Sequence, residues 1–147
     1  MSITGVWLNE SKSIMVLHDP GDGTLRGRYR SMVGRDLHIR ELAGRTSTAE
    51  GEKQMIGFTV CFQIADPSPG YGHASLCAWS GWSDSENGKL KIKTRWLLST
   101  GILDPNQAWG GTLIGDDKFE LVVTDPDEQY LEASEEALHK LLVKARA

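Results

Sequence analysis

The sequence predicts an all-β fold: an eight-stranded antiparallel up-and-down β-barrel followed by a C-terminal α-helix. Three observations carry that expectation. Segments with period-two alternation recur along the first 123 residues. Turns rich in Gly, Pro, Asn and Asp separate them at short, fairly regular spacing. No helical pattern intervenes that could carry a parallel crossover. Eight strands joined in sequence close into a barrel wide enough for one small ligand, and closure removes the sheet edges.

The chain of 147 residues is expected to form one domain, with 1–123 as barrel and 124–147 as its helical extension. At that length about two-thirds of the unfolded surface can be buried without a covalent staple. A net charge of -4 and scattered Lys and Arg argue against a nucleic-acid partner. No apolar run approaches the ~20 residues of a membrane span. The first residues, Met1–Trp7, pass straight into a strand pattern, so no signal peptide is expected. That fits a cytoplasmic protein or a secreted one expressed without its leader. The two cysteines are too few for a disulfide framework. Cys77 shares an inward face with Trp79 while Cys61, next to Phe62, points out, so both are expected as free thiols.

The elements follow in order. Gly5–Leu8 and Ser13–Leu17 are the first two strands, joined by the polar turn Asn9–Ser13. His18–Gly23 (HDPGDG) is a turn. Thr24–Ser31 alternates, with Leu25, Gly27, Tyr29 and Ser31 on one face and Arg26, Arg28 and Arg30 on the wet one. Leu37–Gly44 is a less regular fourth strand and Gln54–Gln63 a clear fifth. His73–Trp82 follows the turn DPSPGYG. Asn87-Gly88 signals a hairpin into Lys89–Ser99, where Ile92, Thr94, Trp96 and Leu98 face inward. Asp104–Gln107 turns the chain into a last strand, Ala108–Val123. Asp125-Pro126-Asp127-Glu128 reads as a helix start, with Asp125 capping. Tyr130, Ala133, Ala137, Leu138, Leu141 and Leu142 then share one side at helical spacing. A lone ~18-residue helix is marginal in water, so that stripe needs the barrel or another subunit.

The predicted interior mixes tryptophans with hydroxyls, which suits a flat, partly polar ligand better than a dry core. Asn9, Ser13, Tyr29 and Ser31 sit near the ends of the first three strands, Ser75 on the sixth and Asp117 late in the eighth. The four histidines lie in turns, an irregular strand or the tail, and none has a partner at metal-ligand spacing. No nucleophile–base pair is apparent. The expectation is a non-catalytic binding protein with no metal and no cofactor.

Six segments resemble the avidin and streptavidin family: GVWLNE (Gly5–Glu10), GTLRGRYRSMVG (Gly23–Gly34), GFTVCF (Gly57–Phe62), AWSGW (Ala78–Trp82), TRWLLS (Thr94–Ser99) and AWGGTLIGDDKF (Ala108–Phe119). The matches are collinear from Ile3 to about Phe119. The chain is most similar to the streptavidin-like branch, and its helical tail resembles that of fungal members. The resemblance implies high-affinity binding of biotin inside the barrel and a homo-oligomer, expected to be a tetramer. Asn9, Ser13 and Tyr29 would donate to the ureido oxygen, as in an oxyanion hole used for binding. Ser31 and Asp117 would accept from the ureido N–H groups. Phe62, Trp79, Trp96 and Leu98 would wrap the rings, and Val33 and Gly34 would form a lid. Ser75 and the backbone at Arg35 would hold the valerate carboxylate. Trp109 would be lent to a neighbouring subunit's site. Three positions depart from the family pattern: Phe62 replaces a Trp, Cys77 replaces a Thr that contacts the thioether sulfur, and Arg35 replaces a small polar residue. Two other readings use the same barrel: a lipocalin-like carrier of another small ligand, which the GxW start at Gly5–Trp7 would also fit, and an assembly protein acting through its C-terminal helix.

Overall fold

A computed structural model describes residues 2–33, 36–47 and 53–146. Its eight strands are β1 (Gly5–Asn9), β2 (Ile14–His18), β3 (Thr24–Arg30), β4 (Ile39–Thr46), β5 (Met55–Gln63), β6 (Tyr71–Glu86), β7 (Lys89–Ile102) and β8 (Thr112–Val123). Each pairs antiparallel with the next, and β1 pairs with β8, closing the barrel in sequence order. The expected fold class is the one observed.

Register follows the alternation read from sequence. Phe58 lies opposite Trp79, and Trp79 opposite Trp96. Val60, Cys77 and Leu98 form the next row, and Phe62, Ser75 and Thr100 the row beyond. The rows stack along the barrel axis because inward positions recur every second residue. One end is filled by Trp7, Leu25, Phe58, Ile92 and Phe119. The indole N–H of fully buried Trp7 donates to the Ile3 carbonyl at 2.9 Å, satisfying the one polar atom that this large side chain takes inside. Cys77 is buried and Cys61 exposed, both free, as their opposite faces require. Asn87 and Gly88 take φ of 54° and 76°, the mirror-image turn whose twist suits a two-residue hairpin.

β4 lies two residues later than the expected Leu37–Gly44, and larger differences occur in three places. β6 and β7 run past the apolar alternation, to Glu86 and Ile102. Beyond Trp82 the hairpin carries cross-strand ion pairs, Lys93 with Asp84 and Glu86 and Lys91 with Glu86, and Lys91 also pairs with Glu120 of β8. Second, the last strand begins at Thr112, not Ala108. Residues Pro105–Gly111 form a 3-10 helix, started by Pro105 and by Asp104, whose carboxylate accepts from the Asn106 amide. Third, the tail is two helices, α1 (Gln129–Glu132) and α2 (Glu135–Arg146). Asp125 does not cap: the N-cap position falls on Glu128, three residues on, and the Asp127 carboxylate takes the Gln129 amide. Ala133 is extended (ψ 144°), and Ser134 Oγ accepts from the Ala137 amide, a second N-cap inside the expected helix.

The tail covers the outside of β1 and β2. Tyr130, Leu131 and Leu138 pack with Val6, Leu8, Ile14 and Val16, which explains why β1 and most of β2 are buried on both faces. The stripe finds its partner on its own barrel. Among the described residues no helix is long and apolar enough to cross a membrane.

Candidate ligand-binding site

The barrel interior opens at one end into a cavity of about 480 Å³, within the usual range for small-ligand sites. Asn9, Tyr29, Ser31, Val33, Phe62, Ser75, Cys77, Trp79, Trp96, Leu98 and Asp117 line it, as expected from sequence. A depression of about 620 Å³ lies outside the barrel by Arg30, Arg40 and Leu131. It is shallower, and both arginines are committed to protein partners.

The polar groups converge on one corner. Asn9 Oδ1 accepts from the backbone amides of Ser11 (3.0 Å) and Ser13 (2.9 Å). Those bonds fix the amide so that Nδ2, the donor, faces Asp117 Oδ1 at 3.4 Å and the cavity. Asp117 Oδ2 accepts from the Trp79 indole at 2.8 Å. Burial nevertheless raises the Asp117 carboxyl above its ordinary value, with Glu10 adding to the effect and Trp79 and Asn9 opposing it. Burial likewise raises the Tyr29 phenol, so it remains an O–H donor. The Ser31 hydroxyl donates to the Val33 carbonyl and accepts from the Val33 amide at 3.3 Å, which leaves one lone pair to accept from a ligand.

The walls are aromatic. Trp79 stacks on Phe58 with centroids 4.9 Å apart, and Tyr29 meets Trp79 at 5.2 Å and Phe62 at 6.0 Å. Trp96 stands opposite Gly115, where a Cβ would lie 2.2 Å from its ring, so only glycine leaves room for the indole. Burial pushes the Cys77 thiol up to about 12, with Asp117 contributing. It therefore stays a thiol, a weak donor.

Two expected site residues do not line the cavity. Ser13 is fully buried behind the wall, bonded to Tyr29 and accepting from the Met32 amide at 3.0 Å. Trp109 is 91% exposed, on the 3-10 helix outside its own cavity. Gly34 and Arg35 lie outside the described residues.

Other lining residues went unnoticed in the sequence: Ser11, Asp36, Ile64, Thr100 and Asp116. Ile64 and Thr100 simply continue the inward alternation one step past Phe62 and Leu98. Asp36 carried no local signal. Its side chain is 2% exposed, pairs with Arg40 Nε at 2.7 Å and accepts from the Gln63 amide at 2.8 Å. Burial opposes its ionisation, but Arg40 and the amides of Gln63 and His38 hold its carboxyl below the ordinary value. Among the described residues no cluster of His, Cys, Asp or Glu is placed to hold a metal.

Fold and cavity together define a closed antiparallel barrel with an internal site, polar at one corner and aromatic along its walls. The model of the Avidin family matches residues 1–122, and the chain belongs to that family. It is similar to the crystal structure of Xenavidin, with a TM-score of 0.70 and 25% identity over 82% of this chain and 96% of that one.

Proposed function

We propose that the barrel binds biotin at high affinity and without turnover. The observation that carries the reading is the corner formed by Asn9, Tyr29, Ser31 and Asp117, which matches a cyclic urea in donor and acceptor order. Asn9 Nδ2 and the Tyr29 hydroxyl would donate to the ureido oxygen, with Ser13 behind the wall bonded to Tyr29 and holding it in place. Ser31 and Asp117 would accept from the two ureido N–H groups. The charged acceptor strengthens its bond, and the two donors on the oxygen favour the polarised form of the urea. Phe62, Trp79, Trp96 and Leu98 would enclose the rings, Val33 would lie over them and Ser75 would meet the ligand's carboxylate end. No cofactor or metal is needed.

The experiment is a calorimetric titration with biotin. One biotin per chain with a large favourable enthalpy is expected. No heat and no competition at millimolar biotin would leave the cavity to another ligand.

Affinity should be limited by two side chains. Phe62 has less ring area than a Trp, and the Cys77 thiol is a poor donor to the thioether sulfur. The double variant Phe62→Trp with Cys77→Thr is expected to release biotin about tenfold more slowly, the gain from an aromatic contact and a hydrogen bond together. Stopped-flow chase with unlabelled biotin measures it, and faster release would show that the native pair is already matched.

The assembly is proposed as a homotetramer in which each Trp109 closes a neighbour's cavity.

A further inference from the structure

The tail lies beyond the span matched by the family model, which ends at residue 122. It is nonetheless joined to the barrel at a particular place. Arg30, the last residue of β3, pairs across the ladder with Ile39, the first of β4. That pair is the base of the connection that carries Ser31 and Val33 into the cavity wall. Arg30 Nη1 donates to the carbonyl oxygens of Leu131 (3.0 Å) and Ala133 (2.6 Å). These carbonyls close α1, where a helix has no amide of its own to offer them. Ile39 packs on the cluster built by Tyr130, Leu131 and Leu138. Both ends of the connection therefore rest on the tail, one through charge-assisted hydrogen bonds and the other through apolar contact. The next amide after Ser31, that of Met32, donates to Ser13 Oγ at 3.0 Å, and Ser13 is bonded to Tyr29. The path from tail to polar corner is thus Leu131 and Ala133, Arg30, Ser31–Met32, Ser13, Tyr29.

We propose that the C-terminal helical segment is a positioning element of the ligand site, acting through Arg30. Arg30 lies outside the cavity and touches no ligand. It sets where Ser31–Val33 stand at the rim, and with them the hydrogen bond from Met32 to Ser13, and so slows escape of the ligand. The escape half of this statement rests on the biotin reading; the rim half does not.

Arg28 supplies the control. It sits two residues back on the same face of β3 and donates to Glu128 at 2.8 Å. It ties the same segment to the middle of the strand and not to the rim. If the tail mattered only for stability, losing either arginine would act alike.

The test compares the full chain with Arg30→Met, Arg30→Lys and Arg28→Met, reading amide hydrogen exchange at Met32 and Val33 without ligand and then biotin release. Arg30→Met is expected to speed both about tenfold, the factor that accompanies loss of hydrogen bonds to a charged group. Arg30→Lys, which can still reach one carbonyl, should recover most of the difference. Arg28→Met should leave both within about twofold of the parent, the scale of a surface ion pair. Unchanged exchange at Met32 in Arg30→Met, or equal acceleration by Arg28→Met, overturns the proposal. Faster exchange with unaltered release overturns its escape half. If no chain binds biotin, the biotin reading falls and the exchange at Met32 still decides the rim. Should Arg30→Met not fold, Arg30→Gln against Arg28→Gln makes the same comparison.

Discussion

Asp117→Asn is expected to raise the melting temperature of the ligand-free protein while weakening biotin binding by about 1.5–3 kcal/mol, the range for a hydrogen bond to a charged group. The two effects have one cause. Burial raises the Asp117 carboxyl above its ordinary value despite the Trp79 and Asn9 bonds. A carboxyl whose folded value exceeds its unfolded one binds its proton more tightly in the fold, so its ionised form subtracts from stability at neutral pH. That deficit builds as pH rises from the unfolded value through the folded one and is absent below both. Asparagine removes the charge and the deficit. It also puts an amide where a ureido N–H needs an acceptor. Parent binding should therefore weaken as pH falls through the raised Asp117 value, and the variant should lack that step. Calorimetry of both chains across acid to neutral pH checks it. Equal affinity of parent and variant would remove Asp117 from the binding set.

Trp109→Lys is expected to loosen the assembly and the ligand together, each by about 2 kcal/mol or more, the scale of an aromatic interface anchor. Trp109 is 91% exposed on its own barrel. Leu97 and Ile114, paired across β7 and β8 on the outward face, are also exposed. With Trp109, these exposed apolar side chains are the surface the proposed assembly would use. The Trp109 backbone is held in place: Thr100 Oγ1, on the cavity wall, donates to the Gly111 carbonyl at 2.7 Å at the end of the 3-10 helix. Light scattering and biotin release rates measured on the same samples test the pairing. A parent mass of 16.2 kDa at micromolar concentration with tight biotin binding would mean that each barrel completes its own site.

Much of the barrel was legible because one side of each strand is buried and the other wet, so the sequence alternates where the sheet does. Lys91–Ser99 carries that signal plainly, and its inward set of Ile92, Thr94, Trp96 and Leu98 is the one that reaches the core and the cavity. The signal stops where burial stops. Ser83–Glu86 is strand because its acids meet Lys91 and Lys93 across the hairpin, and charges at a wet rim leave no apolar period to read. The tail misled for a different reason. Its apolar spacing runs through Ala133, but Ser134 caps a second helix, and local capping outweighs a continuous stripe. In the site, counting in twos gives the inward placement of Tyr29, Phe62, Ser75, Cys77, Trp79, Trp96 and Leu98, while their ligand roles are what the family resemblance implies. Asp36 was not, because what buries it is Arg40 and an amide 27 residues away in sequence, a contact made only by the closed barrel.

The most direct measurement is the thermal unfolding midpoint with and without biotin. A ligand that binds only the folded state adds about 4 kcal/mol at a thousandfold excess over its dissociation constant. For a chain of this size that moves the midpoint by on the order of ten degrees. A rise of that size, saturating at one biotin per chain, is the result expected. A midpoint unchanged at millimolar biotin would contradict the biotin reading.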